Sequence, residues 1–261
     1  MKIDYFMADP AGNITTFVTT PLDESCHTRV AAAFFARPRL RTEQVAFLLP
    51  PVAGGHLRCR MSGGEFCGNA ARAAGYYYAR QQGWQGERQV LVEMSGAGLL
   101  AVRAQAEAGL AYISMPLPLG SQSVECWGRR LDAVLLDGIA HVIVPGTGDP
   151  PPADAALCSR FCRELGQPAL GLMFLDIDSR RLRPLVWVEA LTSLVWENSC
   201  GSGSTACAWW LSRQLGEGRY SYSFFQPGGV LQVDLAREAG RVSAISMGGA
   251  VSLGELSEME L

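Results

Sequence analysis

Two cysteines sit in matched surroundings. Cys67-Gly68 opens CGNAARAAGYYYAR, and 133 residues later Cys200-Gly201 opens CGSGSTACAWWLSR. In both, small residues and then aromatics follow, a pattern that predicts a helix with each Cys-Gly at its start. At a helix start the free amide ends and the positive pole of the dipole favour a thiolate. The same amides can hold a carboxylate. Gly68, Gly201 and Gly203 let a ligand approach the backbone with no side chain between. A thiolate and a thiol on opposite faces of one carbon can remove a proton from one side and return a proton to the other. Their roles exchange in the reverse direction. This pairing inverts a stereocentre, and carboxylate capture would also stabilise the planar carbanion. Excluding water strengthens both effects.

Beyond the cysteines, the chain reads as a duplication. SGAGLLAVRA and PGGVLQVDLA follow the two cysteines, with Val102 and Val233 131 residues apart, and Ile-Ser-Met occurs at Ile113–Met115 and Ile245–Met247. Four matches at a nearly constant offset point to two copies of one unit. Each copy predicts a helix (Cys67 to about Gln81; Cys200 to about Gln214), then a strand pair. These pairs are Val90–Met94 with Leu99–Ala104 and Tyr222–Phe225 with Val230–Leu235. A further strand carries Ile-Ser-Met. Gly146–Ala156 reads as a loop, and Met115-Pro116-Leu117-Pro118 as the link between halves. The expected fold is α/β (α+β), with two pseudo-symmetric lobes and a cleft between them. The expected domains are residues 1–115 with a C-terminal return at about 247–261, and residues 116–246.

Composition removes several classes. The 261 residues carry a net charge of −3 with 48% hydrophobic and 18% charged residues, ordinary values for a chain with a core. A nucleic-acid partner would call for a concentrated basic face; Arg37, Arg39 and Arg41 read as a solvated surface. MKIDYFMADP has charges and a proline where a signal peptide needs an apolar run, and no apolar stretch is long enough to span a bilayer. The expectation is therefore a cytoplasmic protein with reduced thiols and no membrane partner. Cys26, Cys59, Cys126, Cys158, Cys162 and Cys207 read as small buried apolar residues. No pair has C-x-x-C spacing. Cys158 and Cys162 would share a helix face, but two thiols make a poor zinc site, so no metal is expected. Lys2 is the only lysine. Pyridoxal phosphate requires an internal lysine for its Schiff base, and the second residue is badly placed for that duty.

The segments EFCGNAAR and SCGSGSTACA resemble the two cysteine motifs of the diaminopimelate epimerase family. AGN at Asn13, EQVAF at Gln44 and DGIAHVIV at His141 add to the likeness, which spans nearly the whole chain. The resemblance implies two mirrored lobes, each a sheet wrapped around a central helix, with the C-terminal strand returning to the first lobe. It implies no cofactor, an amino-acid substrate and Cys67 and Cys200 as the acid/base pair. Gly68, Asn69, Gly201 and Ser202 match positions that hold the α-carboxylate. Asn13 and Gln44 match pocket residues, His141 a histidine close to the cysteines, and Glu197 the acidic residue near the second cysteine. A histidine within an apolar run is also the pattern of a satisfied core histidine. The family resemblance leaves a homodimer open as the assembly.

The departures bear on substrate. Where the family has a Glu-Arg pair gripping a distal carboxylate, this chain has WENSCGSG, with Asn198 beside Glu197. Ile139 replaces an asparagine, and a second expected asparagine is absent near GLMFLD (171–176). Losing a bidentate arginine and two amides is a heavy penalty against a charged end group. MSGGEFCGNA, LVWENSCGSG and FQPGG are more similar to the histidine racemases that supply D-histidine for opine-type metallophores. The alternatives are a diaminopimelate epimerase, a related isomerase or dehydratase of the proline-racemase type, and a non-enzymatic thiol or metal-binding protein.

Overall fold

The structure, a computed structural model, describes residues 1–261 except for the side chain of Leu191. The chain divides into two compact units, Met1–Ser114 with Gly248–Leu261, and Met115–Met247.

The first unit runs β1 (Lys2–Asp9), β2 (Thr15–Val18), α1 (His27–Phe35), β3 (Gln44–Leu49), β4 (Leu57–Met61), α2 (Gly68–Gln81), β5 (Glu87–Met94), β6 (Gly98–Gln105) and β7 (Leu110–Ser114). The second runs β8 (Gly120–Cys126), β9 (Arg129–Leu136), β10 (Ile139–Pro145), α3 (Ala155–Leu165), β11 (Ala169–Leu175), β12 (Leu182–Val188), β13 (Ser193–Trp196), α4 (Gly201–Ser212), β14 (Gly218–Gln226) and β15 (Gly229–Glu238). Strand β16 (Arg241–Ala250) carries the chain out of the second unit, and β17 (Ser252–Leu253) and β18 (Ser257–Glu260) close the first by pairing with β1.

In the first unit the sheet order is β7-β6-β5-β4-β3-β2-β1. Its pairs are antiparallel except β2/β3 and β4/β5. Those two parallel pairs bracket α1 and α2, because a parallel connection requires a crossover and a helix supplies one. The second unit repeats the device: β10 and β11 are parallel around α3 in the sheet β13-β12-β11-β10-β9-β8, and α4 leads into β14-β15-β16.

Helix α2 is enclosed on almost every side. Ala70, Ala71, Ala73, Ala74 and Ala79 are fully buried, and a Cβ on Gly75 would lie 2.7 Å from Val102. Only small side chains let strands come this close, which explains a helix with alanine all round rather than a single apolar stripe. Helix α4 follows suit with Ala206, Cys207 and Ala208. Its buried Ser204 and Thr205 bond back to the carbonyls of Cys200 and Gly201 at 2.7 and 2.9 Å, so no polar atom there is stranded. The α+β class and the central helices expected from the sequence are present. Several boundaries move: β5 begins at Glu87, β14 at Gly218, and β15 runs on to Glu238; α4 ends at Ser212, where the Ser212 hydroxyl bonds back to the Trp209 carbonyl; and α3 takes Ala155 and Ala156 from the expected loop, because Asp154 caps the Leu157 amide at 2.8 Å. Cys158 and Cys162 lie buried on α3 against the second unit's core. Among the described residues, no helix is long and apolar enough to cross a membrane.

Candidate active site

Cys67 and Cys200 are not the first residues of their helices but the caps. Both have extended backbone, with φ/ψ of −135°/109° and −121°/110°. The Cys67 sulfur accepts from the Ala70 amide at 3.4 Å, and the Cys200 sulfur from the Gly203 amide at 3.4 Å. Each sulfur thus occupies the place of an N-cap oxygen, at the positive end of its helix.

Around Cys67 the first unit gathers amides. Gln44, at the head of β3, places Oε1 3.1 Å from the sulfur. Asn13, in the turn after β1 and 4% exposed, places Oδ1 at 4.0 Å. The Cys67 thiol donates to the Gln44 oxygen. Turning the amide over leaves its shape unchanged and presents N–H donors to a thiolate. Gly68 and Asn69 form the first turn of α2, with Asn69 buried. The loop leading to Cys67 is braced from the β5–β6 turn. The Ser95 hydroxyl donates to the Glu65 carbonyl at 2.8 Å, and Gly96 (φ +72°) passes so near that a Cβ would lie 2.5 Å from the Phe66 nitrogen. Only glycine fits there.

Around Cys200 the second unit gathers His141, Glu197, Asn198, Gly201 and Ser202. His141 on β10 is 0% exposed and sets Nε2 2.9 Å from the Ser202 hydroxyl, whose oxygen lies 3.6 Å from the Cys200 sulfur. Burial pushes the His141 imidazole down to about 3, so it is neutral. Glycine at position 171 makes room for it: a Cβ would lie 2.3 Å from His141 Nδ1. Asn198 is anchored through its carbonyl, which accepts from Gly228 at 2.8 Å.

The expectation that a helix start lowers both thiols needs correction at Cys200. Burial and the neighbouring Glu197 carboxylate push this thiol well above its ordinary range, against the Ser202 hydroxyl and the Gly203 amide, which favour the thiolate. Desolvation outweighs the helix pole there.

Two residues with no role in the sequence reading join the site. Gln226 accepts from the Cys200 amide at 2.8 Å and donates to the Ser204 hydroxyl at 3.0 Å; its only sequence signal is the FQPGG string. Arg72 donates through Nε to Asn69 Oδ1 at 3.2 Å. Lys2 pairs with Glu258 on the exposed face of β1 and β18, at 2.6 Å. Among the described residues, no group of three or more His, Cys, Asp or Glu is arranged to hold a metal ion.

Comparison with known proteins places the whole chain among racemases and epimerases. A histidine racemase from Fusobacterium nucleatum is 28% identical over 221 residues, covering 81% of this chain and 82% of the relative. A histidine racemase from Staphylococcus aureus is 26% identical over 250 residues, covering 90% and 89%. The crystal structure of a predicted epimerase from Pseudomonas aeruginosa shares the fold, with a TM-score of 0.73, 17% identity and 99% of each chain covered. The model of the histidine racemase CntK N-terminal domain matches residues 2–255, and the chain belongs to that family.

Proposed function

We propose that this protein interconverts L- and D-histidine by a two-base reaction in which Cys67 and Cys200 serve opposite faces of the α-carbon. One sulfur, as thiolate, removes the α-proton. The other, as thiol, delivers a proton to the opposite face, and the return reaction exchanges the roles. The amides of the first turns, at Gly68 and Asn69 and at Gly201 and Ser202, receive the α-carboxylate and the charge that develops on it. The observation that carries this reading is the matched pair of caps: two sulfurs, each 3.4 Å from the third amide of its helix. The raised Cys200 thiol supplies an acid where Cys67 supplies a base.

Internal aldimine chemistry has no place in this scheme, because the single lysine is held on the surface by Glu258. Histidine is favoured over a substrate with a distal carboxylate because the segment before Cys200 carries Glu197 and Asn198 where an arginine would be needed to grip that carboxylate. An acceptor of this kind suits an imidazole N–H and repels an anion.

Purified protein incubated with L-histidine in deuterium oxide, without pyridoxal phosphate, is expected to yield D-histidine bearing deuterium at the α-carbon. Absence of both products would end the proposal. Much faster interconversion of LL- and meso-diaminopimelate than of histidine would overturn the substrate while leaving the chemistry.

A further inference from the structure

Arg72 is the bulkiest side chain wholly withdrawn from solvent, at 0% exposed. The reaction above makes no use of it. Nε donates to Asn69, Nη1 donates to the carbonyls of Gly249 and Ala250 at 3.0 Å each, and Nη2 has no hydrogen-bond partner. All these acceptors are neutral, and among the described residues no ion pair includes Arg72. A cation enclosed without an anion is strongly unfavourable.

A group able to become an anion, the Cys67 thiol, stands at the start of the same helix. Helical side chains lean toward the N-terminus, so the guanidinium of residue 72 reaches back to the first turn, as its bond to Asn69 shows. Cys67 caps that turn. Burial pushes Arg72 down to about 10, still charged at neutral pH, and the Cys67 sulfur, Asp9 and Tyr112 are the ionisable groups close enough to favour its charge. Asp9 is exposed, where water screens it. Of the other groups near Cys67, Asn13 and Gln44 are neutral amides. Cys59 is a buried thiol that desolvation keeps protonated. Glu65 is exposed on the preceding loop.

We propose that Arg72 is the enclosed counter-cation that holds Cys67 as the thiolate in the resting protein, making Cys67 the resting base and Cys200 the resting acid. This rests on the reading of the two cysteines as the acid/base pair. Arg72 is a positioning residue: it acts through Asn69 and its field, not by touching substrate. The same side chain ties the returning C-terminal segment to α2 through the Gly249 and Ala250 carbonyls, so a purely structural role is the rival account.

Iodoacetamide alkylation as a function of pH, with peptide mass mapping, separates the two. The test uses the intact protein, Arg72→Met and Arg72→Lys, and needs no substrate. In the unaltered protein Cys67 is expected to be half-reactive below the ordinary thiol value of about 8.5. Arg72→Met is expected to raise that point by about one unit, a roughly tenfold loss of Cys67 reactivity at pH 7. Arg72→Lys keeps the charge and is expected to shift it less, while the Cys200 profile stays in place throughout. A lowered melting midpoint with an unchanged Cys67 profile would overturn the proposal in favour of the clamp. If Arg72→Met does not fold, the unaltered protein decides: a Cys67 profile at or above the ordinary thiol range overturns it. A shifted profile in a protein that fails to racemize histidine would leave the charge pair standing and count only against the substrate.

Discussion

His141 Nε2 lies 2.9 Å from Ser202 Oγ, and its other ring nitrogen, Nδ1, is buried with no partner. A buried N–H without an acceptor is rarer in proteins than a buried acceptor without a donor. The proton of the neutral ring therefore belongs on Nε2, which donates to Ser202. The Ser202 hydroxyl is then free to donate in turn, toward the Cys200 sulfur 3.6 Å away or a bound carboxylate. His141→Ala removes the group that orients this hydroxyl. The loss of one such bond is worth about 1–3 kcal/mol, so kcat is expected to fall roughly 5- to 150-fold, with KM for histidine changing less. Steady-state kinetics check this; an unchanged kcat would make His141 a core residue and nothing more.

Gly171→Ala tests the same arrangement from outside the chemistry. The added methyl would sit 2.3 Å from His141 Nδ1 and 2.7 Å from the Met173 methyl, so the imidazole must leave the position in which it meets Ser202. Overpacking of this kind costs about 1–3 kcal/mol. The expected result is a lowered melting midpoint together with a kcat loss like that of His141→Ala. A variant that loses stability but keeps kcat would show that His141 can move without consequence.

Acid is expected to destabilise the protein through its buried histidines. His27 is stacked on Phe47 with ring centroids 3.7 Å apart, and neither of its buried nitrogens makes a well-formed hydrogen bond, the Leu22 backbone giving its charged form only partial support. Burial holds it below the ordinary 6.5 and holds His141 at about 3. In the unfolded chain both bind a proton near pH 6.5; in the folded protein each binds it only at lower pH, His141 at about 3. Their contribution is thus complete above about 6.5 and is lost as pH falls, by up to about 1.4 kcal/mol per pH unit for each histidine. Below about pH 4.5 Glu93 adds to the loss. Its carboxylate accepts from the amides of Val52, Ala53 and Gly55 and is held below its usual range. Urea midpoints at pH 7.5, 6.5 and 5.5 should decline in that order, and less steeply in His27→Phe. A flat series would refute the assignment.

The chemistry was legible where it depended on neighbours in sequence, and hidden where it depended on partners across the sheet. A cysteine followed by glycine and small residues announces a capped helix, and two such strings announce a duplication. Arg72, by contrast, reads as one of the usual polar residues of a helix. Only the packing of strands against most of α2 makes it a buried cation. Gln226 reaches Cys200 from the end of β14, 26 residues downstream, and no local pattern marks it. In the sequence, the segment beginning at Gly171 stands out only for the amide it lacks. The physical reason for its glycine is the histidine on the adjoining parallel strand, a pairing that requires the β10–α3–β11 crossover to be known.

Gln226 offers the most direct test of how the Cys200 sulfur is held. Its side-chain oxygen accepts from the Cys200 amide and its nitrogen donates to the Ser204 hydroxyl, which itself donates to the Cys200 carbonyl at 2.7 Å. The three bonds form a closed ring about the cysteine's backbone. Gln226→Met keeps the length of the side chain and removes both polar ends, leaving the Cys200 amide buried without an acceptor. That omission costs about 1–3 kcal/mol, or roughly 2–12 °C in melting midpoint for a chain of this size. The sulfur hangs from the backbone that this ring fixes, so kcat should fall while Cys67 alkylates as before. Gln226→Glu restores the acceptor for the Cys200 amide and should recover part of the stability. It also brings a second carboxylate near a thiol already disfavoured as an anion by Glu197, so it should not recover the rate. If Gln226→Met melts and turns over like the unaltered protein, the ring is incidental and the Cys200 sulfur is positioned by its helix alone.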